Sequence, residues 1–472
     1  MNHTFTPASF RLDRRLAVKL TLPLAVLAIF LLAPAPPGLT EQGQRALAVM
    51  ALAVVLWGTE LLPVAVTGVV GVVLLVVLGA VPSLDQALHG FAQPVTYFLI
   101  GILTLGLAVH RSGLAERLAI LLIRTAGGKP AALYFQMLFS FAALTFALPS
   151  ASTRGAIMVH IYEQVMARWG VPKEAPFYRA VMLAMGSLNR LGSTALLAGG
   201  ITPVVASGLL GDFSWTKWFV LMSVPFYANL VIGGTLLYFY YRAGFRLTNT
   251  LDVSGMMSGP VKAAEVRAAI ITVGTALLWF TDFLHGLPPA VPALIALGVI
   301  LMPGVGVLSW KEFEQDLGWS NFFVIATSLS LAHALVSSGA AAWFSTALAD
   351  GIEGMGAAPL TALFALCLAA ALIRLLIPNI AGFLALVIPI AMSTGQALGL
   401  DPLVCGMAVV VVGDSVIYYP AQATASVLIY YRAGLPAPLV FGFGLAMTVV
   451  AIGVLFGLVL PYWGWIGLPL TP

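Results

Sequence analysis

Apolar runs close to twenty residues long recur along the chain from Leu16 to Leu460, separated by short polar knots and not by polar stretches of domain size. A bilayer core about 30 Å thick asks for about 20 apolar helical residues per crossing, so the pattern predicts a multi-pass bundle of α-helices. Spans are expected at 16–33, 45–60, 63–80 and 95–111. Beyond them the pattern changes. Two short arms, 133–148 and 155–167, flank the polar knot Pro149, Ser150, Ala151, Ser152, Thr153 and Arg154. At about 1.5 Å per residue the longer arm reaches only about 24 Å, which favours a re-entrant hairpin over two tilted short spans.

A fifth span at 177–210 is too long for one crossing and is broken by the stretch from Ser187 to Thr194, where Asn189, Arg190, Gly192 and Ser193 lie. Polar and glycine residues at membrane depth line a site or cavity, because lipid offers no hydrogen bonds. Spans at 216–240, 265–283 and 290–303 follow, then an interfacial amphipathic element at 310–317 and a ninth span at 321–336. A second interrupted pair, 357–376 and 382–397, surrounds Pro378, Asn379 and Ile380. The tenth span, 402–431, is broken by Gly413, Asp414, Ser415, Pro420 and Gln422, and the eleventh covers 436–460.

The two halves correspond at a lag of about 226 residues. The stretch GLAVHRSGLAERLAILL from Gly106 answers LAHALVSSGAAAWFSTAL from Leu331, and each closes a span before a hairpin. An odd number of crossings separates equivalent elements, so the repeats are inverted. The expected fold is therefore an all-α polytopic membrane protein of about 11 transmembrane helices plus two re-entrant hairpins in two inverted repeats. Its expected parts are scaffold spans at 1–128, a first transport half at 129–240, a linker and scaffold spans at 241–350, and a second transport half at 351–472. Broken elements at equivalent places in inverted halves point to a transport site near the bilayer midplane.

Composition agrees with the pattern: 60% of the 472 residues are hydrophobic and 8% charged, against roughly a quarter charged in soluble domains. The net charge of +4 is spread a few residues per loop, which argues against a nucleic-acid partner. Those charges report topology. With a cytoplasmic N-terminus, the basic loops fall inside and only Arg45 and Lys217 fall outside, as the positive-inside rule requires. This predicts a cytoplasmic N-terminus, an external C-terminus and an odd number of complete spans; the expected location is a bacterial inner membrane. The apolar run after Arg11, Arg14, Arg15 and Lys19 resembles a signal peptide, but the cleavage pattern is poor and it is read as a retained span. Cys367 and Cys405 lie in separate apolar segments and read as buried thiols, and the six histidines show no ligand spacing.

The chemistry concentrates at the tips and breaks. Ser150 or Ser152 can cap the second arm of the first hairpin, whose helix start directs free N–H groups and a positive dipole end into the protein. An anion is the natural ligand there. Arg154 and Arg190, charges at membrane depth, suit carboxylate or oxyanion substrates through bidentate hydrogen bonds; a structural pairing of Arg154 with Asp414 is the plain alternative. Expected substrate-binding residues are Ser150, Ser152, Thr153, Arg154, Asn189, Arg190, Ser193, Thr194, Asn379 and Thr424. A coupling ion, sodium or a proton, would engage Ser150, Gly192, Asn379, Asp414 and Ser415, and no other metal or cofactor is expected. Glu60 reads as a packing or interfacial residue, and Arg374 has no evident place. No HExxH motif or paired aspartates mark a membrane-embedded enzyme, whereas a channel or a sensor that binds without transport would keep the same outline.

The spans, hairpins and breaks together resemble the divalent anion/sodium symporter family of the ion-transporter superfamily. The resemblance covers nearly the whole chain and rests on WGTELLPVAVTGVVGVVLLVVLG from Trp57, FLIGILTLGLAVHRSGLAERLA from Phe98, PSASTRG from Pro149 and YYPAQATASVLIYYRAGL from Tyr418. In that family each tip reads Ser-Asn-Thr, and tips and breaks together form sodium and dicarboxylate or sulfate sites. Here the first tip has Ala151 and Ser152 in the second and third places, and the second reads Pro378, Asn379, Ile380. The tip with Arg154 is similar to those of citrate/succinate exchangers and plastid 2-oxoglutarate/malate translocators, as is STALLAGGITP from Ser193, with Val204 in place of asparagine. The resemblance implies a homodimeric secondary transporter of small divalent anions such as C4-dicarboxylates, citrate or sulfate, moving by an elevator-like mechanism. It also implies that Arg154 supplies a fixed charge where the family binds a cation, which favours exchange or proton coupling over sodium symport.

Overall fold

Helices account for every regular element among the described residues of the computed structural model, which are 14–148, 150–211, 213–246, 259–353 and 358–471. Side chains are described for these residues except 14–20, 353, 421, 424 and 425. Arg11, the tip residue Pro149, Ala357 and the linker residues 247–258 fall outside this set.

The first half opens with α1 (Arg14–Leu32), α2 (Glu41–Thr59), α3 (Val64–Val77) and α4 (Pro94–Ser112). A helix that the hydropathy pattern hides follows as α5 (Leu114–Arg124). Its charges, Glu116, Arg117 and Arg124, make it read as a polar loop, yet Ala115, Ala119 and Ile123 recur every fourth residue and are buried. The first hairpin is α6 (Pro130–Ala143) and α7 (Ala151–Arg168), and the broken span is α8 (Pro176–Thr194) and α9 (Ile201–Leu210), followed by α10 (Trp215–Tyr240).

The second half repeats this order. It comprises α11 (Ala263–Phe280), α12 (Ala290–Leu301), the interfacial α13 (Trp310–Asp316), α14 (Ser320–Ser337) and α15 (Ala340–Glu353), the last matching α5. The second hairpin is α16 (Pro359–Leu376) and α17 (Ile380–Ala397), then the broken pair α18 (Pro402–Asp414) and α19 (Thr424–Ala433), and finally α20 (Ala437–Val454), which continues to Trp465. The packing is exchanged between halves. Helix α3 packs on α14 as α12 packs on α4, and α7 packs on α19 as α17 packs on α9. Within each half α6 lies against α8 as α16 lies against α18.

Seven helices among the described residues are, by length and composition alone, able to cross a bilayer. Both arms of the second hairpin are among them at 18 residues each, about 27 Å, whereas α6 has only 14. On α11 the side chains of Ile270, Val273 and Leu277 stay exposed, an apolar face that suits contact with lipid. The protein is an integral, multi-pass membrane protein. Helices α2, α3 and α14 share an apolar cluster around Trp57, Val72 and Leu331 that also takes in Ala385 of the second hairpin, beside the large core that holds most of the hairpins and broken spans.

Both breaks are built into the backbone. After Thr194 the chain turns extended at Leu196 and folds back over one turn at Leu197–Gly199. A side chain at Gly199 would bring its Cβ within 1.8 Å of the Ser193 carbonyl oxygen, so only glycine permits that fold. In the second half Pro420, which has no N–H, starts the equivalent turn at Pro420–Gln422.

Candidate functional site

Four helix starts converge on one cavity of about 670 Å³. The start of α7 is capped by Ser150, whose Oγ accepts the Thr153 N–H at 3.2 Å; the start of α17 is capped by Asn379, whose Oδ1 accepts the Ala381 N–H at 3.1 Å. The starts of α9 and α19 have no side-chain cap, and their first residues, Gly200 to Thr202 and Ala423, line the cavity with the two tips. Each start carries N–H groups without intrahelical partners and the positive end of a helix dipole. Ser150 and Asn379, distant in sequence, thus border the same space.

Behind each tip lies a buried guanidinium. Arg154 donates from Nε to Asn189 Oδ1 at 2.7 Å, from Nη1 to Thr145 Oγ1 at 2.7 Å and the Leu148 carbonyl at 3.1 Å, and from Nη2 to the Asn189 carbonyl at 2.8 Å and Ser193 Oγ at 2.5 Å. It ties the first tip to the first broken span. Arg374 does the same in the second half. Its Nη1 donates to the carbonyls of Ile377 at 2.5 Å and Pro378 at 2.9 Å, and its Nε to the Gly413 carbonyl at 3.2 Å. In the register that lays Ser150 on Asn379, Leu148 falls on Ile377, Thr145 on Arg374 and Arg154 on Phe383. The arginine therefore changes arm between halves and keeps its place: Arg374 reaches it from the first arm and lies over the Phe383 ring, 5.7 Å from its centre.

A third guanidinium faces the cavity. Arg190 Nη1 pairs with Asp414 Oδ1 at 3.1 Å and its Nη2 donates to the Val416 carbonyl, which leaves Nε without a partner. Asp414 also accepts from Thr194 at 2.5 Å and Thr202 at 3.2 Å, so one buried carboxylate joins both sides of the first break to the end of α18. Asn379 Nδ2 is likewise buried without a partner at the cavity wall.

Of the residues singled out from sequence, Ser150, Ser152, Asn189, Arg190, Ser193, Thr194 and Asn379 line the cavity. Thr153 instead turns its hydroxyl to Ser150 at 3.1 Å. Arg154 lies outside the cavity wall with all of its donor nitrogens engaged, so it holds no free N–H for a substrate, and it is Arg190 that pairs with Asp414. Gly192 serves close packing: a Cβ there would meet the Phe141 carbonyl oxygen at 2.4 Å. Asp414 and Ser415 are buried behind the wall, and the Thr424 side chain is outside the described residues. The sequence reading did not place Trp57 and Glu60 at the site, whereas Gln422, read as a polar group of the second break, does line it. Gln422 bridges the Arg374 carbonyl at 2.8 Å and the Tyr418 N–H at 2.6 Å, and Trp57 and Glu60 reach the cavity from the end of α2. Among the described residues no group of His, Cys, Asp or Glu has the makings of a metal site.

Two repeated helical halves thus bring hairpin tips and helix breaks around one polar cavity in a membrane protein. The chain belongs to the family described as the sodium:sulfate symporter transmembrane region, which matches residues 14–468. It is 25% identical to a membrane protein of Cupriavidus necator over 94% of this chain and 91% of that one. It is 24% identical to the L-tartrate/succinate antiporter of Escherichia coli K12, over 93% of this chain and 94% of that one. In fold it is similar to the YdaH transporter of Alcanivorax borkumensis, with a TM-score of 0.51 and 16% identity over 80% of this chain and 86% of that one. The fold also resembles MtrF of Neisseria gonorrhoeae, of a class of antimetabolite efflux pumps, with a TM-score of 0.56 and 15% identity over 98% and 97% of the two chains. The protein is a membrane transporter of this family and not an enzyme.

Proposed function

We propose that this protein is a sodium-independent exchanger of small dianions, C4-dicarboxylates foremost. The observation that carries this reading is the pair of buried guanidiniums, Arg154 and Arg374, in equivalent places at the two tips. Carbonyl and hydroxyl oxygens between a tip and a break are the ligands that the family resemblance assigns to sodium. Here those oxygens accept from guanidinium donors, so a tethered charge replaces an exchangeable one. Four helix starts, the free Nε of Arg190 and the free Nδ2 of Asn379 remain to receive the substrate, in two related sets that suit an anion with a charge at each end. The likeness to an L-tartrate/succinate antiporter supports both exchange and dicarboxylate chemistry.

Alternating access is by an elevator-like step in which 129–240 and 351–472, hairpins and broken spans, move against scaffold residues 1–128 and 241–350. The hairpins are re-entrant, the protein is a homodimer in a bacterial inner membrane, and its N-terminus is cytoplasmic. In that orientation the cavity, bordered by Glu60, Pro63, Ser320 and Asn321, faces the cytoplasm. Uptake of labelled succinate into proteoliposomes tests the reading. Uptake should require succinate, tartrate or another dianion inside and should be unchanged when sodium is replaced by potassium on both sides; strict dependence on sodium would overturn it.

A further inference from the structure

Glu60 breaks three local rules at once. It is the single non-glycine residue with a left-handed backbone among the described residues, at φ 51° and ψ 29°, a conformation that costs an L-residue energy and persists only where its surroundings impose it. It caps the C-terminus of α2, where the helix dipole disfavours negative charge. It also lines, with Arg190 and Asn379, a cavity whose other features attract anions. No described residue hydrogen-bonds or ion-pairs with its carboxylate. Such conflicts between local preference and structure gather at functional positions.

Its placement is rigid. The adjoining Trp57 is buried, and its ring fills the space where a Cβ on Gly382, in the first turn of α17, would come within 2.3 Å. A Cβ on Gly58 would lie 3.5 Å from the Leu376 carbonyl oxygen, at the other arm of the same hairpin. The end of α2 is thus seated on the second hairpin, and Glu60 projects at the cavity wall from the scaffold and not from the hairpins. An ordinary exposed glutamate at the end of a span would need neither the left-handed turn nor the seat.

We propose that Glu60 is a specificity-determining residue that sets the charge the cavity accepts, favouring dianions over trianions. A fixed negative charge repels a ligand in proportion to the ligand's own charge, so each added carboxylate is penalised again. Arg190 cannot offset this in full, because Asp414 already neutralises part of its charge. The proposal rests on the reading of the cavity as an anion site, and the test separates the two.

Inhibition of labelled succinate counterflow is measured in proteoliposomes at pH 8 with acetate, succinate and citrate, which carry one, two and three negative charges. Wild type is compared with Glu60→Gln, Glu60→Gly and Glu60→Asp. Glycine suits the left-handed backbone, so Glu60→Gly removes the charge in a folded protein even if Glu60→Gln does not fold. Both neutral variants should tighten inhibition by about threefold per ligand charge, hence about 3-, 9- and 27-fold across the series, from Coulomb's law over about 10 Å at an effective dielectric of about 50. Glu60→Asp should keep the wild-type order. Equal factors for all three ligands, no change, or an Asp variant that behaves as Gln would overturn the assignment while leaving the anion site standing. Failure of wild type to engage succinate or citrate at all would overturn both.

Discussion

At the scale of single residues, Arg154 and Arg374 organise the site without touching the cavity. Replacing Arg154 by alanine would leave the Asn189 and Leu148 carbonyls and the hydroxyls of Thr145 and Ser193 without their donor in a dry interior. A loss on the order of 3 kcal/mol follows from such unpaired buried groups. Arg154→Ala should therefore melt lower, read by a thermal unfolding scan, and should lose exchange. Millimolar guanidinium should restore part of the exchange where the same concentration of choline does not, because a planar donor refills the vacated position. Both arginines were visible in the sequence as isolated charges in apolar surroundings. Their equivalence was not, since the residue that answers Arg154 in register is Phe383 and the guanidinium arrives from the other arm. The roles first expected of Arg154 and Arg190 are divided by a geometric fact that no spacing reveals, namely which carbonyls each guanidinium reaches.

At the scale of elements, hairpins and breaks announced themselves because polar residues within apolar runs are rare and expensive. Helices α5 and α15 did not: α5 carries Glu116, Arg117 and Arg124 and reads as a loop, and α15, at 14 residues, is too short for the long apolar runs that are the signal sought. The seat of α2 on α17 is a contact of this scale. It depends on a missing side chain, and any substitution at Gly382 must push the Trp57 ring away. Gly382→Leu should wedge α2 from the hairpin and slow exchange at least tenfold without loss of the folded helices. Counterflow rates alongside circular dichroism of the purified protein check this, and an unchanged rate would show that the contact does not govern movement.

At the scale of the molecule, the order and repetition of the long apolar helices were legible from hydropathy, because lipid punishes any unpaired backbone and so leaves a plain record in the sequence. That the two tips and two breaks share one cavity was expected only from their repetition; the cavity's shape, its scaffold wall at Trp57 and Glu60, and the exchange of partners between halves arise from contacts across hundreds of residues.

The tethered arginines have an electrical consequence. In the elevator step proposed above, three guanidiniums, Arg154, Arg190 and Arg374, and one carboxylate, Asp414, would travel with the site, a local surplus of two positive charges around the cavity. A bound dianion would cancel that local surplus, so the loaded site would cross the voltage drop without net charge of its own. The empty carrier would drag two uncompensated charges through a field worth about 2.3 kcal/mol per charge per 100 mV, besides exposing them to lipid. Swapping one dianion for another should accordingly proceed at the same rate at 0 and −100 mV, set with potassium and valinomycin, while net flux without a counter-anion stays undetectable; a rate that follows voltage would refute the charge count. On the proposed reading, two arginines fixed in place of a mobile ion would leave exchange insensitive to the membrane potential.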